Sequence, residues 1–272
     1  MKKIICALLI ALLSVSAVYA SEISTTSIGF LSRLNTSDEE FARIIQNSES
    51  AAGWHLLSNR HELYGVKFYD SMMAMQMALG RNEINEIALP EVVAEYLINA
   101  NPDFEACCVA MTRSPIALAF GFGKNNAVLA SKFNRALRMM EEDWTLAELQ
   151  GIYIYHQGIA RPAKFDKFDG EDTIKVAVTG DLPPIDYIDE AGNPAGFNAA
   201  LLAELGRRMH MNVELVNIES GARTSALVSG RVDVVFWYET SRGMMWNYDA
   251  GEGILLSDPY FGWNKFLHVK KK

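Results

Sequence analysis

The sequence predicts an α/β protein in which short strands alternate with amphipathic helices. Residues 174–197 (IKVAVTGDLPPIDYIDEAGNPAGF) begin with an alternating apolar strand, leave the sheet at Gly180-Asp181 and Pro183-Pro184, and lead into a helix. Residues 27–99 repeat the order of strand followed by helix. An open loop between a strand and a helix is typical of ligand sites in open α/β sheets.

The first twenty residues have the pattern of a secretory signal peptide. Lys2 and Lys3 precede an apolar run over residues 4–13, and Val18 and Ala20 supply small residues before a cleavage site. The apolar run is too short for a membrane span. The sequence therefore predicts a cleaved signal at residues 1–20 and an exported protein, either periplasmic or secreted.

The charge of the remaining chain excludes two kinds of partner. Without Lys2 and Lys3, 23 basic residues stand against 33 acidic residues, a formal charge of −10. Because such a charge repels nucleic acid and anionic lipid, we expect neither as a partner. A chain of about 250 residues buries a core either as one large domain or as two lobes.

Cysteine and histidine spacing predicts neither a disulfide nor a metal site. Cys107 and Cys108 are adjacent in the apolar segment FEACCVAM, where two packed free thiols are the expected state. The five histidines have no metal-ligand spacing with each other or with these cysteines. Catalytic signatures such as Gly-x-Ser-x-Gly are also missing. We therefore expect no metal and no cofactor.

The individual elements follow from periodicity and from capping residues. Ser37 with Glu40 has the spacing of a capping box, and Pro90 suits the first position of a helix. The predicted strands are residues 27–31, 65–69, 85–89, 104–111, 114–120, 174–178, 212–216 and 231–235. The predicted helices are residues 38–46, 71–79, 91–99, 125–140, 198–209 and 221–230. Residues 155–173 are polar and interrupted by Gly and Pro, which predicts a linker.

The C-terminal motifs resemble the type-2 periplasmic solute-binding proteins of the polar amino-acid uptake family, also described as bacterial extracellular solute-binding proteins of family 3. The matching motifs are TGDLPP at 179–184, the D-x-x-G-x-x-x-G-F pattern at 189–197, RVDVV at 231–235 and SDPYF at 257–261. The resemblance covers almost all of residues 173–262. It implies two α/β lobes, each a mixed sheet flanked by helices, that close on a ligand.

The N-terminal half resembles the second lobe of the same family. The similar segments are YDS at 69–71, NEINE at 82–86 and AEYL at 94–97. The resemblance thus implies lobe 2 at residues 21–113 and lobe 1 at residues 114–272, with a joining linker at 155–173. Since lobe 1 comes first in the family, the order here is that of a circular permutation. A tandem repeat truncated at both ends is the alternative, which the lack of any duplicated element disfavours.

The resemblance places the lobe 1 ligand residues in the loops that follow strands. They are Asp181, Leu182, Ser220, Trp237, Tyr238, Glu239, Thr240 and Arg242. Arg242 follows hydroxyl residues, as does the carboxylate-gripping Arg of the family, although its spacing from Asp233 is shorter than usual. A guanidinium suits this role because it donates two parallel bonds to a carboxylate. A solvated surface Arg is the alternative for Arg242, and core packing is the alternative for Trp237 and Tyr238.

In lobe 2 the resemblance implies a second set of ligand residues. They are Ser32, Arg33, Asn35 and Thr36, at the start of the predicted helix 38–46, together with Glu91. A helix N-terminus favours an anionic group, although Asn35 and Thr36 alternatively only shape the turn. Pro90 stands where the amino-acid binders of the family carry an Asp for the ligand ammonium. Glu91 either replaces that Asp or complements the helix dipole.

Taken together, the sequence predicts an exported, monomeric solute-binding protein. The family's aromatic clamp is missing at Leu182 and Ser220, so we do not expect binding of a standard α-amino acid. The expected ligand is a small polar or anionic molecule, either amino-acid-like or a carboxylate. The resemblance implies amino-acid transport with an ABC transporter permease as partner. The alternative is a dehydratase-like periplasmic enzyme with Asp181, Glu91 or Glu239 as its acid–base group.

Overall fold

The structure is a computed structural model that describes residues 26–32, 64–156, 162–240 and 253–272. The predicted signal peptide and the predicted helix 38–46 lie outside the described residues. So do Arg33, Asn35, Thr36 and Arg242 among the predicted ligand residues.

Strands and helices alternate through the described residues, as the sequence predicts. The strands are β1 (Thr26–Leu31), β2 (Tyr64–Tyr69), β3 (Glu86–Pro90), β4 (Phe104–Gly123), β5 (Thr173–Val178), β6 (Asp181–Leu182), β7 (Asp186–Ile188), β8 (Pro194–Ala195), β9 (Asn212–Asn217), β10 (Val234–Thr240), β11 (Ile254–Leu256) and β12 (Phe261–Lys271). The helices are α1 (Met72–Gly80), α2 (Glu91–Ala100), α3 (Ala127–Glu142), α4 (Thr145–Gln150), α5 (Phe197–Met209) and α6 (Arg223–Val228).

A nine-stranded sheet forms the centre of the described structure: eight strands follow the order β2-β1-β3-β12-β4-β10-β5-β9, and the ninth, β11, pairs with β4 outside this order. Its two ends repeat one arrangement. In the first strand group, β2-β1-β3, the strand that comes first in the chain lies between its two parallel neighbours. In the second strand group, β9-β5-β10, the same is true of β5. The mixed α/β fold class predicted from the sequence is confirmed.

Two long antiparallel strands, β4 and β12, lie between the strand groups and pair with each other. Residues 104–111 of β4 pair with the C-terminal part of β12, which also pairs with β3. Residues 117–122 of β4 pair with β10 of the second strand group. The resemblance implied a separate sheet in each lobe. The structure instead joins both strand groups into one sheet, because β4 and β12 each extend from one group to the other.

The core is built from the apolar faces that the periodicity predicts. Every residue of β3 is buried, and α5 buries Leu201, Leu202 and Leu205 against the sheet. Helix α3 adds Phe133, whose ring lies 5.1 Å from that of Phe120 on β4. Burial of each such apolar side chain contributes about 1.5–3 kcal/mol to the stability of the fold. Within the described ranges, no helix has the length and apolar character needed to cross a membrane.

The segment that precedes β5 lies along the second strand group. The Asn212 side chain at the start of β9 accepts a hydrogen bond from the Phe168 backbone N–H (2.9 Å) and donates to the carbonyl oxygens of Phe168 (2.9 Å) and Glu171 (3.1 Å). The Phe168 ring also packs on His210, with 4.2 Å between the ring centroids. The described part of the predicted linker, residues 162–172, is therefore tied to the sheet edge beside β9.

Candidate functional site

The loops at the carboxyl ends of the two strand groups meet, and the region between them is called the cleft below. The Met72 backbone N–H, at the start of α1 beside the first strand group, donates a 2.8 Å hydrogen bond to Asp181 Oδ2 beside the second. A Cβ added at Gly221 would lie 3.3 Å from Asp70 Oδ1. The rings of Tyr96 and Tyr187 are 6.2 Å apart. Loops of the two groups are thus in direct contact, and their polar groups border one site.

Asp181 is the predicted site residue whose placement is clearest. Its carboxylate accepts from the first N–H of α1, where the helix dipole favours a negative charge. The start of α1 is fixed independently, because the Ser71 hydroxyl accepts from the Ala74 N–H at 3.2 Å. Asp181 therefore links the two strand groups through a charge-assisted hydrogen bond.

Asp186 holds the loop that carries Asp181. Its buried Oδ2 accepts from the Thr179 N–H (2.9 Å), the Thr179 hydroxyl (3.0 Å) and the Gly180 N–H (3.3 Å). Burial raises the pKa of Asp186, while these hydrogen bonds and the charge of Arg223 oppose that rise. The sequence analysis did not identify Asp186. The signal was a carboxylate inside the short apolar run of residues 185–188.

Two glycines give the loop its shape. Gly180 has φ +74°, and Gly196 has φ +93° immediately before α5. A Cβ at Gly196 would lie 2.7 Å from the carbonyl oxygens of Pro184 and Ile185. Only glycine accommodates both the left-handed backbone and this close approach. The glycine of the Gly196-Phe197 motif thus closes residues 180–196 into a compact loop.

Glu91 lies at the carboxyl end of the first strand group but is already paired. Its Oε1 is 3.1 Å from Lys265 Nζ on β12, and both side chains are partly exposed. Glu91 is also the first residue of α2, where an acidic side chain complements the helix dipole. The structure thus gives Glu91 two partners, the dipole that the sequence analysis considered and Lys265, which lies 174 residues away.

Three further predicted ligand residues, Leu182, Ser32 and Ser220, lie in different parts of the fold. Leu182 is 3% exposed and packs in the main core, so its side chain does not border the cleft in this conformation. The Ser32 N–H donates to the Tyr69 carbonyl oxygen at the end of β2. Ser220 begins a short 3₁₀ turn before α6.

For residues 237–240 the structure describes the backbone alone. A register shift after Val235 precedes the pairing of Tyr238, Glu239 and Thr240 with β4. Trp237 falls within that shift. Such irregularities re-aim side chains at the ends of strands.

Arg223 is a second residue that sequence analysis missed. It is the first residue of α6 and is 3% exposed. Its Nη1 donates a long 3.5 Å hydrogen bond to the Phe236 carbonyl oxygen near the end of β10. Its charge also acts on the buried Asp186 carboxylate. Arg223 thereby provides a fixed positive charge beneath the cleft loops of the second strand group.

Comparison with known proteins gives one family match and several similar solved structures. Residues 174–272 match the model of the bacterial extracellular solute-binding proteins, family 3. A search of curated proteins found no match. Among solved structures, the chain is similar to the ligand-binding component of an ABC-type import system from Staphylococcus aureus with zinc bound, at 11% identity and a TM-score of 0.46. That match covers 91% of this chain and 66% of the other, about two thirds of its length.

Two further solved structures are similar to this chain at comparable identity and TM-score. The GluR0 ligand-binding core from Nostoc punctiforme, in complex with L-glutamate, matches at 11% identity and a TM-score of 0.41, covering 91% of this chain and 85% of that one. A putative L-cystine ABC transporter from Listeria monocytogenes matches at 10% identity and a TM-score of 0.41, covering 91% and 83%. The family match confirms the resemblance predicted from the motifs over residues 174–272, the part of the chain in which the most specific motifs lie.

Proposed function

We propose that the protein is an exported solute-binding protein that captures a small polar or anionic molecule between the loops of its two strand groups. The observation that carries this proposal is the contact across the cleft, where Asp181 of one group accepts from the α1 N-terminus of the other. A site formed by two strand groups closes or opens as they move relative to each other. The match of residues 174–272 to a solute-binding family supports the same role.

The ligand we propose carries an anionic group and needs no buried carboxylate for an ammonium. Pro90 offers no side-chain acceptor, and the neighbouring Glu91 is paired with Lys265. Arg242 and the segment 32–36 remain our candidates for holding the anion. A carboxylate or another small oxyanion suits these groups better than a standard α-amino acid does.

Solute capture is favoured over the dehydratase-like alternative by the state of the cleft carboxylates. Asp181 is hydrogen-bonded to a backbone N–H, and Glu91 forms an ion pair. A general acid or base instead needs a carboxyl group within reach of the substrate proton. We propose cleavage of residues 1–20, a monomeric mature protein in the periplasm or outside the cell, and delivery of the ligand to an ABC-type permease.

The order of the two lobes is proposed to be a circular permutation. Strands β1 and β12 both pair with β3, on its opposite sides, with Ile28 and Lys270 each in register with Glu86. The two ends of the described chain are thus separated by a single strand, a distance of about 10 Å. Residues 162–172 run beside β9, where a linker joining the old ends is needed.

Native mass spectrometry of protein purified without denaturation is the direct test of ligand capture. We expect a retained small anion that is released unchanged. Re-addition at about 100 times its dissociation constant should raise stability by about 2.7 kcal/mol, while common L-amino acids should give little thermal shift. Release of a chemically altered molecule would favour the enzyme. A large shift with a standard amino acid would contradict the ligand class.

The Asp181→Asn variant tests the cleft itself. Loss of the negative charge at the α1 N-terminus should weaken ligand binding by up to about 1 kcal/mol, roughly fivefold. Asp172→Asn is the matched control, because this exposed residue lies at the amino end of β5, away from the cleft. Equal affinities for the two variants, measured by calorimetry, would contradict a role for the Asp181 contact in closure.

A further inference from the structure

Three neighbouring strands bring two thiols, a carboxylate and an imidazole together at the end of the sheet away from the cleft. The residues are Glu86 on β3, Cys107 and Cys108 on β4, and His268 on β12. Glu86 and His268 are 182 residues apart in the chain, and Cys107 and His268 are 161 apart. Glu86 begins β3, four residues or about 13 Å from its carboxyl end at Pro90.

A β-bulge places both sulfur atoms on the same side of the sheet. His268 of β12 is in register with Cys108 of β4, and the next residue of β12, Val269, is in register with Ala106. Cys107 has no register partner on β12 and is therefore the extra residue of the bulge. Adjacent residues of a regular strand point to opposite faces, and a bulge removes that alternation. The Cys107 and Cys108 Sγ atoms consequently lie 3.6 Å apart without a disulfide between them.

The spacing of these donor atoms matches a metal ion better than it matches a disulfide. Two thiolates on one tetrahedral Zn²⁺ lie about 3.8 Å apart, given Zn–S bonds of about 2.3 Å. The measured 3.6 Å is close to that value, whereas a disulfide requires about 2.05 Å. A Glu86 carboxylate oxygen and both sulfur atoms all lie within 4.8 Å of one another.

A supporting group is also present. His268 Nδ1 lies 3.0 Å from Glu86 Oε2 and holds that carboxylate in place. Hydrogen bonds of this kind orient metal ligands and tune their affinity. Glu86 and His268 are buried, while Cys107 and Cys108 are only partly so. An ion therefore has access from the solvent side of the thiols.

We propose that Cys107, Cys108 and Glu86 bind one thiophilic divalent cation of the Zn²⁺ type, with a water molecule completing a tetrahedral shell. Two sulfur ligands favour a soft or borderline ion over Mg²⁺ or Ca²⁺. The ion ties β3 to β4 on either side of β12, and it lies apart from the cleft. The sequence analysis expected no metal because it judged spacing along the chain, and this proposal replaces that expectation.

The test uses the full mature protein, stripped with a chelator and kept reduced with a phosphine. Calorimetric titration with Zn²⁺ should show one equivalent, and Co²⁺ should give a thiolate-to-cobalt charge-transfer band. The Cys107→Ser/Cys108→Ser double variant should lose both signals. His268→Gln should weaken Zn²⁺ binding about 10- to 100-fold through its effect on Glu86. Glu105→Gln is the control, since this partly exposed carboxylate on the same strand pairs with Lys270 and lies outside the cluster.

The Co²⁺ spectrum of the unmodified protein keeps the proposal falsifiable even if a variant fails to fold. A spectrum without a thiolate band would overturn the proposal. So would Zn²⁺ affinity equal to that of a folded double variant, or a Cys107–Cys108 disulfide found by peptide mapping of untreated protein. None of these results bears on ligand capture in the cleft, which is measured separately.

Discussion

At the scale of single residues, Asp186 shows how one buried carboxylate shapes a binding loop. It is 5% exposed, and it satisfies two backbone N–H groups and one hydroxyl of residues 179 and 180. Those residues lead directly to Asp181, which makes the contact across the cleft. The position of Asp181 therefore depends on a residue that does not itself contact α1.

Replacing Asp186 with Ala should destabilise the protein and weaken ligand binding together. The Thr179 and Gly180 N–H groups would lose their acceptor, which costs about 1–3 kcal/mol when the donors stay buried. Urea unfolding measures the first effect and calorimetry with the retained ligand measures the second. Asp172→Ala is the control, an exposed Asp on the amino side of β5. A variant as stable as that control would show that the loop is held by other contacts.

The sequence could suggest Asp181 and Glu91 as candidate site residues but could not give their hydrogen-bond and ion-pair partners. Asp181 lies in a recognisable motif, yet its acceptor role depends on Met72, 109 residues earlier. Glu91 is matched by Lys265, and the thiol cluster requires a bulge whose register is set by β12. Such pairings arise from strand order, which local spacing does not encode.

At the scale of elements, a charged network joins the end of α5 to the turn between α3 and α4. Arg208 donates to Glu204 (2.6 Å), Asp143 (2.7 Å) and the Thr145 hydroxyl (2.9 Å). The Arg208 side chain is only 9% exposed, so solvent screens its ion pairs less than it screens most ion pairs at a protein surface. It thereby connects the helices α3, α4 and α5 to one another.

The pH dependence of stability should reveal this network. Hydrogen bonds with Thr145 and Arg208 lower the pKa of Asp143 from 3.8 to about 2. Because the folded-state pKa is the lower one, the contribution of Asp143 to stability is present above pH 3.8 and is lost as the pH falls towards 2. In the Asp143→Asn variant, the free energy of unfolding should therefore decrease less than in the unmodified protein as the pH is lowered from 3.8 to about 2. Urea unfolding at several pH values measures this free energy.

The matched control for Asp143→Asn is Glu142→Gln, which neutralises the preceding exposed carboxylate. This control should keep the pH dependence of the unmodified protein. If Asp143→Asn and Glu142→Gln give the same curve, the Arg208 network does not contribute to folding stability.

Element types were predicted well and element boundaries less well. Strand β5 matches the predicted 174–178 within one residue, because its alternation is regular and its ends are marked by polar residues. The sequence analysis predicted two strands here, residues 104–111 and 114–120, and Pro115 at the start of the second lacks a backbone donor. The structure has one strand over Phe104–Gly123 instead, because pairing with β12 on both sides of Pro115 overrides the local signal.

At the scale of the whole molecule, the two strand groups have the same strand order, which is relevant to the proposed permutation. Each strand group is complete, with three parallel strands in the same order. The resemblance implied one sheet in each lobe and did not predict that the two groups would share a strand order. The sequence could not show that β12 passes beside β3, because the register of an 11-residue strand depends on neighbours from opposite ends of the chain.

A rearranged chain tests the permutation. It starts at residue 162, runs to residue 272, continues through a Gly/Ser linker of about five residues, and ends with residues 21–156. Such a linker spans up to about 17 Å, enough for the gap between the ends of β12 and β1. We expect a monomer in light scattering, with a melting temperature and ligand affinity close to those of the original chain.

The control is the same rearrangement with its break at Gly206 inside α5, a helix buried against the sheet. That chain should not fold. If the chain broken at residue 162 behaves like this control, or dimerises, the lobes do not derive from one permuted binder.

The register shift between Trp263 and Lys265 has a mechanical consequence. Trp263 is opposite Ile116 and Lys265 is opposite Met111, so residues 112–115 of β4 face Asn264 outside the regular ladder. On one side of this interruption, residues 104–111 of β4 pair with the part of β12 that also pairs with β3 of the first strand group. On the other side, residues 117–122 of β4 pair with β10 of the second strand group. Bending confined to these residues would leave the hydrogen-bonded ladders on both sides intact. We therefore expect relative movement of the two strand groups to occur most easily at this interruption of the ladder.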